Sequence, residues 1–415
     1  MRNLTGTPAL EAVTGAGRPR WLRARYLMTA EPLMTRAGFL KICGVVAGGM
    51  VARQGLAEPP PHADVPETML LKSWEVAEFP HLGKKLQQMI KITATNGAVG
   101  FSRLVAANLA GAAATVQGHN LLDHEQLHDL MAAKGVPRQQ MATMDIACWD
   151  LHARMLKKPL HALLGTKRAK VLRYGDVRGQ QPDFSPGKYA AAVARYFEYS
   201  KLQATKLHFP GAMGTPESIP FKDILETLRQ VRKAVGDDNI LAWDPYPGSA
   251  ESATNSVDEA KEILKAMDEL HYAWIEGPLP SVPYETQIPK YVELVKTGAK
   301  LRIQAEGPGS PIGDGTSFED MKRWAEAGAI TQCSTDAYIA AGVTNCLRML
   351  EYAKAHPPLV INLHWAWAPH AHLAMAYDEK VFPIAEFPMG EDVPKEFMSG
   401  PYLLAPDWPG IYRID

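Results

Sequence analysis

Seven short apolar runs each carry a charged or titratable residue at or beside their end. They are ATKLH (204–208), ILAWD (240–244), AWIE (273–276), RIQAE (302–306), ITQCSTD (330–336), VINLH (360–364) and IAE (384–386). Asp244, Glu276 and Glu306 end three successive runs and are followed at once by turn residues, Pro245, Gly277-Pro278 and Gly307-Pro308. Three carboxylates on neighbouring strands about 5 Å apart can share one ion. All-oxygen ligation suits a hard divalent cation, Mg²⁺ first. Without a cation the three charges raise one another's pKa. Lys206 and His208 are two apart on one strand, so they point to one face as a basic pair. Asp336 and His364 end the two runs after the carboxylate set; such an aspartate holds a neighbouring imidazole in one tautomer and raises its basicity. His370 and His372 are rival imidazoles, but they follow Pro369 at the start of a helical stretch, where core packing accounts for them. Glu386, on the last run, is placed to hydrogen-bond a substrate. A base on one side, a metal between and an Asp–His pair opposite suit removal of a proton next to a carboxylate, with the charge developing as an enediolate.

The elements that must position these groups are set by their spacing. From Lys206 through Asp244, Glu276, Glu306, Asp336 and His364 to Glu386 the steps are 38, 32, 30, 30, 28 and 22 residues. A step near 30 is one strand, one loop and one helix, the period of a (β/α) barrel whose active site lies at the C-terminal ends of its strands. Between the strands, Phe221, Ile224, Leu228, Val231 and Val235 form a helical stripe stopped by Gly236. Ser256-Val-Asp-Glu259 opens another helix as a capping box, Ser317-Phe-Glu-Asp320 opens the next, and Val343–Ala353 forms a further one. Upstream the pattern differs. Met89–Thr95 and Ala98–Ser102 flank Asn96-Gly97, a hairpin signal. Met141, Met144, Cys148, Leu151 and Met155 share one helix face, with Ala142, Ile146 and Trp149 on a second. No nucleotide-binding glycine motif follows an early strand.

The chain has 415 residues, 46% hydrophobic and 21% charged, with 44 basic against 45 acidic residues. That is an ordinary globular composition. A net charge of −1 with no basic stripe excludes nucleic acid and anionic membrane as natural partners. Cys43, Cys148, Cys333 and Cys346 have no metal-binding spacing, and the last three read as buried thiols. Residues 1–62 read as a leader or extension. Within them, 34–57 has the look of an export signal, with an apolar run too short to span a bilayer.

Beyond these readings, the chain resembles the mandelate racemase/muconate lactonizing enzyme family of the enolase superfamily. Met141-Ala-Thr-Met-Asp-Ile-Ala-Cys-Trp-Asp150 with Lys158-Pro-Leu-His-Ala-Leu-Leu-Gly165 matches its signature helix. Lys206-Leu-His208 stands at its Lys-x-Lys position, Trp274-Ile-Glu-Gly-Pro278 at its second metal ligand, and Pro406–Asp415 at its C-terminal ending. The resemblance covers about residues 68–415. It implies an α/β fold: a modified (β/α)₇β TIM-type barrel (171–390) under an N-terminal α+β capping domain (63–170), with a C-terminal segment (391–415) returning to the cap. It also implies one Mg²⁺ per site, with Mn²⁺ as a substitute, on Asp244, Glu276 and Glu306. The substrate would be a small carboxylate such as a sugar acid, and the assembly a homo-oligomer, octameric or smaller. Catalysis would fall to Lys206, His208 and the Asp336–His364 dyad, as in its mandelate racemase subgroup. His208 replaces the usual second lysine, so either Lys206 or His208 can be the base.

The expected reaction is dehydration of a sugar acid or similar α-hydroxy acid to a 2-keto-3-deoxy product, with His364 expelling the β-hydroxyl. A racemase or epimerase with the same site starts from the same enediolate. A non-catalytic sugar-acid binding protein needs the metal or anion site but no matched base and acid. A metal-dependent aldose isomerase needs a two-metal site with further His or Asp ligands, which these strands do not offer. Specificity is expected in the Trp74–Lys85 region and in barrel loops such as 307–315.

Overall fold

The computed structural model describes residues 68–414 apart from 82–84, 104–107, 180–183, 210–218, 246–255, 280–283, 307–311, 366 and 387–396. The leader and export-signal reading of 1–62 lies outside the described residues, as does the first part of the C-terminal segment, 391–396. Among the described residues no helix is long and apolar enough to cross a membrane.

Three antiparallel strands open the described chain: β1 (Leu71–His81), β2 (Lys85–Ala94) and β3 (Val99–Arg103). The Asn96-Gly97 signal forms the β2–β3 turn. Gly97 has φ +88°, a conformation open to glycine, and the Asn96 side chain accepts from Ala98 N at 3.0 Å. Helices Ala110–Val116, His124–Ala133, Arg138–Met155 and Leu160–Leu163 follow. The long Arg138–Met155 helix has little amphipathic contrast because it serves two cores. Met141, Met144, Cys148 and Leu151 pack with Ile90 and Ile92 of β2. Ile146, Trp149 and Ala153 join the larger core that fills the barrel's helix–strand layer. Gly100 of β3 lies so close to this helix that a Cβ there would sit 2.1 Å from Ala147 O.

The barrel strands are β4 (Lys170–Arg178), β5 (Ala204–His208), β6 (Ile240–Trp243), β7 (Trp274–Glu276), β8 (Arg302–Gln304), β9 (Gln332–Thr335), β10 (Val360–Leu363) and β11 (Ala385–Glu386). β4 to β10 pair in sequence order, all parallel, and β11 pairs parallel with β4 while lying beside β10. One helix separates each successive pair, seven in all among the described residues, the last being Ala368–Ala376. This is the expected (β/α)₇β closure. The predicted stop and start signals act as read. Gly236 ends Phe221–Val235 at φ +77°, and the Ser256 and Ser317 hydroxyls accept from Glu259 N (3.1 Å) and Asp320 N (3.2 Å). Inside the barrel, Tyr174, Ala204, Ala242, Trp274 and Ile384 form an apolar plug. The side chains one pleat further along point into the mouth above it.

Past β12 (Met398–Ser399), β13 (Tyr402–Leu404) pairs antiparallel with the start of β4. The chain then reaches the long helix, where Ile411 N donates to Asp150 Oδ1 at 2.6 Å. Asp145, one turn earlier, accepts from Thr344 N at 3.0 Å and from the Thr344 hydroxyl, and Trp149 Nε1 donates to Thr344 Oγ1 at 2.9 Å. Cys148, Cys333 and Cys346 are buried free thiols.

Candidate active site

Lys206 and His208 alternate with Leu207 along β5, so they face the barrel interior while Leu207 faces the helices; both are buried. Asp244, Glu276, Glu306, Asp336, His364 and Glu386 stand within two residues of the C-terminal ends of β6 to β11. The backbone ladder continues past the strands and holds them. Asp244 N donates to Leu207 O at 3.0 Å and His364 N to Thr335 O at 2.9 Å. All the residues read from the sequence are thus brought to one barrel mouth.

Lys206 Nζ lies 3.0 Å from Glu276 Oε2, 3.0 Å from Glu386 Oε1 and 3.6 Å from Asp244 Oδ2. Burial opposes its charge, but Glu276 and Glu386 hold it protonated well above the usual lysine range. Trp274, two residues before Glu276 on the same face, donates its Nε1 to Glu276 Oε1 at 2.7 Å. Burial raises the Glu276 carboxyl to about 7; Lys206 pulls it down, and Asp244 and Glu386 push it up. Glu306 is raised well above the usual carboxylate range by burial and then by Asp314, Glu276 and Asp244, and it accepts from Gln304 Nε2 at 2.7 Å. Glu386 also accepts from Trp365 N at 3.1 Å.

The expected three-carboxylate set is not assembled as an ion cage: among the described residues no three His, Cys, Asp or Glu side chains form one. The Lys206 ammonium stands among Asp244, Glu276 and Glu386, and Glu306 is engaged by Gln304. The donor chemistry nonetheless fits a divalent cation. Burial raises Glu276 and Glu306, repulsion among the three carboxylates adds to it, and a cation bound there would relieve both.

The opposite part of the mouth holds His364. Its Nδ1 lies 3.1 Å from Asp336 Oδ2, and its Nε2 lies 3.3 Å from Asp314 Oδ2. Burial alone would lower its pKa, but Asp314, the Asp336 hydrogen bond, Glu386 and the Asp336 charge raise it to about 10. Both contacts favour the imidazolium, with its two N–H groups facing the carboxyl groups of Asp336 and Asp314, although burial also raises Asp314. Protonation of the His364 ring stabilises the fold fully below the unfolded histidine pKa of about 6.5, and that contribution is lost as pH rises through about 10. The His364 ring resonances are expected to titrate near pH 10 by NMR, and Asp314→Asn is expected to lower that midpoint; a midpoint near 6.5 would contradict the pairing.

Trp367 Nε1 donates to Asp336 Oδ2 at 3.2 Å, and Tyr338 N to Asp336 Oδ1 at 2.7 Å. Trp365, between the two, has φ +60°, a strained value for a bulky residue. Glu386 binds its amide and His370 Nδ1 its carbonyl. His370 and His372 are buried in the Ala368–Ala376 helix; burial lowers both, and His370 Nε2 accepts from Ala337 N at 2.9 Å. They are packing and bracing groups, as their place after Pro369 suggested.

Two acids escaped the sequence reading. Asp176, near the end of β4, lies 3.6 Å from His208 Nε2 and pairs with Arg178 at 3.0 Å. It stands 30 residues before Lys206, so one more step of the period would have found it. Asp314 lies in the loop after Glu306, off any strand, and no periodic signal marks it.

A parallel eight-stranded barrel with acids, a lysine and an Asp–His dyad at its C-terminal mouth, under an α+β cap, defines an enolase-type enzyme. A sequence model of the Enolase C-terminal domain-like family matches residues 188–411. The chain belongs to that family, whose mandelate racemase/muconate lactonizing branch comprises lyases and isomerases. It is 25% identical over 303 residues to a D-galactonate dehydratase of Ralstonia nicotianae, covering 68% of this chain and 71% of that one. It is also 25% identical over 165 residues to an N-succinyl-L-Arg/Lys racemase of Bacillus cereus, covering 39% and 40%. In structure it resembles a D-glucarate dehydratase of Agrobacterium tumefaciens complexed with magnesium, with TM-score 0.65 and 22% identity over 84% of this chain and 97% of that one. A mandelate racemase/muconate lactonizing protein of Paracoccus denitrificans gives TM-score 0.64 and 20% identity over 84% and 96%.

Proposed function

We propose that this enzyme is a Mg²⁺-dependent dehydratase of a sugar acid. The observation that carries the reading is His364, an imidazolium held between Asp336 and Asp314 across the mouth from Lys206 and His208. Elimination needs a base for the α-proton and an acid for the departing hydroxyl. A histidine protonated throughout the neutral range is poised as that acid, which favours dehydration over racemisation, where the same ring must also act as a base. The sugar-acid dehydratase among the relatives supports the same chemistry.

Asp244, Glu276 and Glu306 would hold the cation, which supplies positive charge to the substrate carboxylate as the α-proton leaves. His208 takes that proton, or Lys206 does from its neutral form, which would require Glu276 and Glu386 to release the ammonium they hold in the unliganded site. With Asp314 exchanged for substrate, His364 Nε2 gives its proton to the β-hydroxyl, which departs as water with the C–O bond pair. The remaining enol tautomerises to the 2-keto-3-deoxy acid. Glu386, fixed by Lys206 and Trp365, orients a substrate hydroxyl.

The test is incubation in D₂O with Mg²⁺ and a panel of sugar acids, against an EDTA control. Mg²⁺-dependent loss of water from one acid is the expected result. Deuterium uptake on an unchanged skeleton would make the enzyme a racemase or epimerase instead. Independently of turnover, Mg²⁺ is expected to raise the melting temperature, and Glu276→Gln to abolish most of that rise.

A further inference from the structure

The cap brings one positive charge to the barrel mouth that the mechanism above does not use. Arg103 is the last residue of β3 and is half-buried. Its backbone N–H donates to Tyr412 Oη at 3.3 Å, and that hydroxyl is hydrogen-bonded to Tyr338 Oη at 2.7 Å. The strand end is therefore tied both to the C-terminal segment and to the loop after β9. The guanidinium lies over the Trp367 indole, with Cζ 4.4 Å from the ring centroid. Trp367 is the residue whose Nε1 donates to Asp336 Oδ2, the oxygen that also holds His364. One aromatic ring thus separates Arg103 from the dyad.

Among the described residues the Arg103 guanidinium has cation–π contacts but no ion pair and no hydrogen bond. Of the other partly buried arginines, Arg302 at the start of β8, away from the mouth, likewise has only a cation–π contact, with Trp274, and the rest are engaged. Arg154 binds Asp150, Arg168 and Arg232 bind backbone carbonyls, and Arg348 binds Glu125 and Asp129. A cation–π contact does not occupy the five N–H donors, which lie in the guanidinium plane in a fork that matches a carboxylate. Beside the dyad stand two acids, Asp314 against His364 Nε2 and Glu386 against Trp365 N. A second carboxylate on the substrate would be repelled there unless a cation received it.

We propose that Arg103 is a specificity residue that receives a second carboxylate, at the end of the substrate remote from the reacting one, so that the preferred substrate is a dicarboxylic sugar acid. This rests on the sugar-acid reading of the site, not on which reaction the acid undergoes. Trp367 aims the fork while its own N–H stays with Asp336, which links recognition of the remote carboxylate to the element that positions His364.

The experiment is calorimetric titration of the Mg²⁺-loaded full chain with a hexarate, the matching hexonate and the hexonate 6-phosphate, with turnover followed in parallel. The hexarate is expected to bind about 10- to 100-fold more tightly than the hexonate, the range for a charge-assisted fork. Arg103→Gln is expected to bring that ratio near one, and Arg103→Lys to leave an intermediate ratio; unchanged melting temperatures show that each variant is folded. Equal wild-type affinities overturn the proposal without any variant, as does a ratio unaffected in folded Arg103→Gln. Tighter binding of the phosphate overturns the carboxylate assignment. A hexarate preference without turnover leaves Arg103's role standing and sinks the dehydratase reading, whereas turnover without preference does the reverse. Failure of all three acids to bind sinks both.

Discussion

Replacing His364 with asparagine is expected to lower kcat on the cognate acid by about 10²- to 10⁴-fold, the usual contribution of a general acid or base. His364 is the only imidazole of the mouth, among the described residues, whose two nitrogens both face carboxylates within 3.3 Å. An asparagine there keeps a polar group beside Asp336 but has no proton to deliver to a leaving hydroxyl. The side chain is 23% exposed, so the variant leaves no cavity in a closed core, and the melting temperature should change little. The loss is expected in kcat, with KM less affected, because the proton is transferred only at the transition state. The variant also separates the two half-reactions. If Lys206 or His208 takes the α-proton, His364→Asn should still exchange that proton with D₂O while no longer expelling water. Loss of exchange and elimination together would place the base at His364 and reverse the assignment. Lys206→Met and His208→Asn, measured by the same exchange, then decide between the two remaining bases.

The largest effect on stability is expected at Asp150. Its carboxylate is fully buried and is the acceptor for four donors: Phe101 N at 2.9 Å, Arg154 Nε at 2.6 Å, Ile411 N at 2.6 Å and Tyr412 N at 3.4 Å. These come from the cap sheet, the long helix and the C-terminal segment, so one side chain joins three stretches distant in sequence. Asp150→Ala leaves three buried amides without this acceptor and the Arg154 charge without its partner. Breaking a buried pair on one side costs about 3–5 kcal/mol, a large share of a typical domain's stability. Urea unfolding followed by circular dichroism should show the midpoint fall accordingly, with Asp150→Asn intermediate because it retains one acceptor oxygen. A change below about 1 kcal/mol would mean that water or a rearranged C-terminal segment replaces the carboxylate. The same variant is expected to disturb Arg103 indirectly, since Tyr412 connects the two.

Much of the site was legible because a barrel repeats one physical unit. Each strand is short, buried and apolar up to its C-terminal end, and there a residue that need not be apolar is tolerated. That rule alone located Lys206, His208, Asp244, Glu276, Glu306, Asp336, His364 and Glu386, and the helix signals at Ser256, Ser317 and Gly236 fixed the units between them. It carried as far as order along the chain and facing along a strand, both of which are local properties of a pleated backbone.

What only the tertiary structure decided is how those charges divide among themselves. The sequence offered three carboxylates for a metal and a lysine for a base. In the folded chain Lys206 stands against Glu276 and Glu386, and Glu306 turns to Gln304. His364 was read with one aspartate, yet a second, Asp314, reaches its other nitrogen from a loop that obeys no strand or helix period. The Asp150 knot and the Arg103–Trp367 cation–π contact likewise join residues more than two hundred positions apart. Local propensity and periodicity determine elements. The strength of a charge–charge contact depends on distance and burial, and both are set only when the cap, the barrel and the C-terminal segment close on one another.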